Sequence, residues 1–119
     1  MKHSVPSKLV LIGASTGGPG QIEKIVQSLP KLNDTTIVIA QHMVRGFIPS
    51  FAKRLEDHTK NKVLMAKDMS YLDSVNIYLC NGFTEITEEN FILQFKNKDS
   101  ASTHEYNPDI NTILTHLLL

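Results

Sequence analysis

Two residues suited to acyl-transfer chemistry stand 27 positions apart in this chain, and each directly follows an apolar run. Ser15 sits in Gly13-Ala14-Ser15-Thr16-Gly17, behind "LVLI", and His42 comes straight after "TTIVIAQ". The pattern G-x-S-x-G, placed between a strand and a helix, describes a sharp turn that exposes a serine hydroxyl. Small neighbours allow the turn to be tight. The backbone N–H groups of Thr16 and the glycines after it would then point outward at a helix N-terminus, which favours negative charge. Two other uses of a glycine-rich turn compete with this one. A dinucleotide fingerprint needs G-x-G-x-x-G and an acid after the second strand. Counting from Gly18 gives Gly20 and then Glu23, and the second strand ends in Gln41 and His42. A phosphate-binding P-loop needs Gly-Lys-Ser/Thr, which is absent. The nucleotide readings therefore fall. The remaining competitor is a plain helix start in which Ser15 only caps free N–H groups.

The surrounding sequence supplies the elements. "KLVLIGA" reads as an apolar strand of the kind buried on both faces of a parallel sheet. In "GQIEKIVQSL", Ile22, Ile25, Val26 and Leu29 recur at helical spacing, and Pro30 ends the run. "TTIVIAQ" is a second, β-branched strand, so strand, helix and strand in about thirty-five residues form a βαβ unit. After a turn containing Gly46 and Pro49, "FAKRLEDHTKN" is an amphipathic helix with Phe51, Ala52 and Leu55 on one side. "KVLMA" and "VNIYLC" are a third and fourth strand, and "TEITEENFILQFK" alternates on both sides of a break, as a β-hairpin does. "NKDSASTHEY" is a polar loop, and the last segment is a turn followed by a helix carrying Ile110, Ile113, Leu114 and Leu117 on one face. The expected fold is α/β, a doubly wound, mainly parallel sheet with helices on both faces and a β-hairpin. The final helix stops on three leucines without a capping glycine. Residues 1–119 are accordingly expected to be the N-terminal part of a larger domain, with an exposed C-terminal helix prone to self-association.

This arrangement gives Ser15 a partner. Both residues follow parallel strands, so both emerge at the carboxyl edge, where open α/β sheets bind their ligands. Neighbouring strands lie about 4.8 Å apart, within reach of a Ser–His hydrogen bond. His42 is the candidate general base, whereas His3, His58, His104 and His116 read as surface or structural residues. An ordinary α/β-hydrolase fits poorly, because it places several strands before the serine and its histidine last.

Composition excludes several classes. Twelve Lys and Arg balance twelve Asp and Glu, so no overall charge favours nucleic acid. No apolar run is long enough to span a membrane, and the N-terminus lacks a signal-peptide core. The single cysteine, Cys80, fits a cytoplasmic protein without a disulfide or metal cluster. No metal or cofactor is expected.

The stretches "LVLIGASTGGPGQIEKIVQSLP" and "IVIAQHMVRGFIPSFAKRL" resemble the catalytic domain of the CheB family of chemoreceptor protein-glutamate methylesterases. "NIYLCNGFTEI" is similar to that family's Tyr-Ile-Ala-Pro-Gly segment, and "YNPDINTIL" to its Arg-Pro-Ser-Val-Asp helix start. The resemblance implies a cytoplasmic serine hydrolase that removes γ-glutamyl methyl esters from methyl-accepting chemotaxis receptors, often with glutamine deamidation. It implies Ser15 as nucleophile, His42 as general base and acid, and Thr16 as an oxyanion contributor. The family's third triad member, an Asp in a later Met-Gly-x-Asp-Gly turn, has no counterpart here, nor does the second oxyanion donor from that turn. Asp68, Asp73 and Asp109 fall in segments matching other parts of the family and do not inherit the role. Asn81 stands where the family has Pro, and Asn107, Asp109 and Asn111 replace its Arg, Ser and Asp. No receiver domain is expected in this chain. By itself the chain is expected to be nearly inactive, since loss of the acid's orienting role costs serine proteases about 10⁴ in kcat. The alternative is a truncated, non-catalytic module that binds receptors or dimerises.

Overall fold

The computed structural model describes residues 8–15, 17–67, 69–80, 83–89, 92–98 and 106–107. In chain order its elements are β1 (Lys8–Ala14), α1 (Gly18–Ser28), β2 (Thr35–Gln41), β3 (Met43–Val44), a 3₁₀ turn (Arg45–Phe47), α2 (Ile48–Glu56), β4 (Lys62–Met65), β5 (Asn76–Leu79), β6 (Phe83–Glu89), β7 (Ile92–Lys98) and β8 (Tyr106–Asn107). β1, β2, β5 and β4 form a four-stranded sheet in that order. All three of its pairings are parallel. The expected strands, both expected helices of the first half and the hairpin are therefore present. The helix expected near the C-terminus, with the self-association tied to it, lies outside the described residues.

Helix starts differ from the expectation by two or three residues. Both helices carry a proline in the first turn, Pro19 in α1 and Pro49 in α2. There the missing N–H has no intrahelical partner to lose, and the fixed φ is already helical. These prolines open the helices instead of preceding them.

Strand alternation divides the interior into two cores. On one face Ile37, Ile39, Ile77, Leu79 and Val63 meet Ile22 and Val26 of α1 and Phe51, Ala52 and Leu55 of α2. On the other, Val38, Ala40, Tyr78 and Cys80 meet Leu72 and the hairpin residues Ile86 and Phe95. Among the described residues, α1 and α2 thus share one face and the antiparallel β6–β7 hairpin covers the other. The hairpin is anchored by backbone bonds: Met69 N–H to Phe95 O (2.8 Å), Phe95 N–H to Ser70 O (2.8 Å) and Leu72 N–H to Leu93 O (2.9 Å).

Among the described residues β2 has a neighbour on each side and six of its seven residues are buried, whereas β1 pairs with β2 alone and its Val10 is 43% exposed. β5 inserts between β2 and β4, an order the sequence does not reveal.

Phe95 is fully buried and meets Tyr78 edge-on, with ring centroids 5.1 Å apart. Phe95→Ala is expected to destabilise the protein by about 3–5 kcal/mol, measured by denaturant unfolding. A loss below about 1 kcal/mol would show that the hairpin does not complete this core.

Candidate active site

The register of β1 on β2 runs from Lys8↔Thr35 to Ala14↔Gln41, so the next residues, Ser15 and His42, occupy equivalent positions just past the two strand ends. One further bond extends the pairing: the His42 N–H donates to the carbonyl of Ala14 at 2.8 Å. Ser15 and His42 are both exposed. The fold therefore brings the sequence-predicted pair together at the carboxyl edge of adjacent parallel strands. Thr16, the third predicted site residue, lies outside the described residues, as do Asp68 and Asp109. Asp73 precedes β5, at the opposite, amino end of the sheet.

The turn after β1 is closed by the Gly18 N–H, which donates to Ser15 O at 2.8 Å. Gly17, its third residue, has φ 81° and ψ −11°, the left-handed geometry that a type II turn requires there. Gly17 is also the N-cap of α1. The capping position thus belongs to glycine and not to Ser15, and Ser15 takes part in the turn through its carbonyl.

Gly18 is needed for a different reason. A Cβ at this position would lie 2.5 Å from Gln41 Oε1 and 2.6 Å from the Cβ of Ala14. The start of α1 therefore packs directly onto the ends of both strands. Gln41 itself is 1% exposed, and its Nε2 donates to Ser15 O (2.9 Å) and His42 O (3.1 Å). Sequence reading used Gln41 to exclude a ribose-binding acid and within the Gln-His-Met stretch of the family resemblance, and gave it no structural role. The available signal was a polar residue closing an otherwise apolar, β-branched strand, because a buried amide must find partners.

Beyond His42, Met43 and Val44 pair antiparallel with Tyr106 and Asn107, an addition that the loop-like sequence around 97–106 does not announce. Met43, Pro19, Phe47, Phe51, Ser50 and Arg54 line an open groove of about 390 Å³ beside the strand ends. Phe47 is 62% exposed there. Behind the groove, Glu23 of α1 holds Arg54 of α2 at 2.9 Å and lies 3.3 Å from His58 Nε2. His58, just past the end of α2, thus reaches α1. Among the described residues, no cluster of three or more His, Cys, Asp or Glu side chains could hold a metal ion.

Comparison with known proteins decides the family. The family model for CheB methylesterase matches residues 10–118. The chain belongs to the CheB methylesterase family. A protein-glutamate methylesterase/protein-glutamine glutaminase of Thermotoga maritima is 38% identical over 81 residues, covering 68% of this chain and 24% of that protein. The Bacillus subtilis protein of the same name is 33% identical over 112 residues, covering 91% of this chain and 31% of its own length. The crystal structure of the Thermotoga maritima CheB methylesterase catalytic domain superposes with a TM-score of 0.83 at 31% identity. It covers 94% of this chain and 60% of that one. The chain thus spans a quarter to a third of these curated CheB relatives and well over half of the solved catalytic domain.

Three glycines, Gly17 and Gly18 of the turn and Gly20 in α1, predict three different outcomes. Gly17→Ala is expected to cost about 1–2 kcal/mol, because it forces a side chain into the left-handed region. Gly18→Ala should cost at least as much through overlap with Ala14 and Gln41. Gly20→Ala meets nothing within 4 Å inside α1 and should stabilise by about 0.5–1 kcal/mol. Thermal unfolding of the three variants checks the order.

Proposed function

We propose that the protein is a protein-glutamate methylesterase that hydrolyses γ-glutamyl methyl esters of chemotaxis receptors, with Ser15 as nucleophile and His42 as general base. The observation that carries this reading is the placement of Ser15 and His42 one step beyond the paired ends Ala14 and Gln41. The names of the matched relatives support the substrate class, since they are protein-glutamate methylesterases and protein-glutamine glutaminases. The open, largely apolar groove beside Met43 suits a protein substrate more than a small polar one.

In the proposed reaction His42 accepts the Ser15 proton as Oγ attacks the ester carbonyl. The tetrahedral oxyanion is held by the Thr16 backbone N–H and a second donor. Collapse breaks the bond to the methoxy group, which takes the proton from His42 and leaves as methanol. Water, deprotonated by His42, then attacks the acyl-enzyme and releases the glutamate carboxylate and free Ser15. With a glutamine side chain the same sequence would release ammonia. The acid that orients His42 and the second oxyanion donor are proposed to come from sequence following residue 119. The match to 60% of the Thermotoga catalytic domain supports a domain longer than these residues.

The test is methanol release from methyl-labelled receptor by the full-length protein. Ser15→Ala and His42→Ala should each lower kcat by about 10⁴-fold or more while the protein stays folded. Turnover that survives Ser15→Ala would remove Ser15 from the mechanism.

A further inference from the structure

We propose that Gln41 is a positioning residue whose single buried amide sets the spacing between Ser15 and His42. The inference rests on the reading of those two residues as nucleophile and base. Ser15 O and His42 O, the two acceptors of Gln41 Nε2, belong to different strands. Both are carbonyls, which only accept, so the amide orientation follows from chemistry: NH₂ faces them and Oε1 points away. An NH₂ group has two hydrogens, and these two carbonyls use both.

Among the described residues Oε1 has no hydrogen-bond partner, and it lies against the start of α1, where a Cβ on Gly18 would come within 2.5 Å. A buried acceptor left unpaired is unfavourable. The amide in this place therefore acts through its donors. What it supplies is a donor pair at the one place where the backbone ladder stops. The last rung is His42 N–H to Ala14 O, and beyond it the Ser15 carbonyl turns toward the Gly18 N–H. Gln41 spans that divergence. Among the described contacts Gln41 links the Ser15 and His42 backbones directly, and a shift of about 1 Å between reacting groups can cost about 10²-fold in rate.

Gln41→Met keeps the side-chain length and removes both donors. In the full-length protein it is expected to lower kcat for methanol release by about 10–100-fold, with KM changed less than about two-fold. Phosphonylation of Ser15 by a fluorophosphonate should slow in parallel, while thermal melting shows the variant folded at the assay temperature. Gln41→Asn, which keeps the amide but is too short to reach both carbonyls, should behave alike. Either folded variant with kcat and phosphonylation at the parent's level would overturn the proposal, as would a rise in KM with kcat unchanged. Unfolding of both variants would assign Gln41 to stability alone and overturn it as well. Ser15→Ala separates the two readings. If it abolishes turnover while Gln41→Met does not, only the positioning role fails; if turnover survives Ser15→Ala, the catalytic reading itself fails.

Discussion

Seven successive residue pairs hold β1 against β2, and the His42 N–H carries the ladder one bond further, onto the carbonyl of Ala14. Everything at the candidate site inherits its position from this pairing. A slip of one residue would move every side chain of β1 to the opposite face and offset Ser15 from His42 by a full rung. Such a slip is opposed by both cores at once, because Ile12 and Ala14 pack on the helical side while Leu9 and Leu11 pack on the hairpin side.

The tightness of the strand ends has the same origin. α1 begins only three residues after Ser15, so its first turn must come down on the ends of both strands. Gly17 supplies the left-handed bend and Gly18 the missing side chain that lets Gln41 and Ala14 approach. Pro19 then fixes the helical φ without losing a bond. The sequence Gly-Gly-Pro is thus a set of steric answers to one packing problem, and not a flexible linker. Glu23, one turn further on, pairs with Arg54 of α2.

Much of this was legible beforehand, for identifiable reasons. β-branched runs such as "TTIVIA" have few other solutions than a buried strand, and Ile22, Val26, Phe51 and Leu55 announce their helix faces by spacing. The Ser15–His42 pair was readable because both follow strands and parallel strands end on one edge. Two features were hidden. The β3–β8 pair joins residues more than sixty positions apart, with only two residues in each strand, too short for a periodic signal. The structural role of Gln41 is hidden because its partners are backbone carbonyls, which leave no mark in the residue types.

The residues alone determined the kinds of element, the family resemblance and which serine and histidine follow strand ends, since each follows from local periodicity or a short motif. Only the tertiary structure decided that β5 separates β2 from β4, that both described helices share one face, and that a buried amide joins the two loops. These are relations between segments distant in sequence. They are set by which surfaces can be buried together and which polar groups must then be paired, and a linear pattern carries neither quantity.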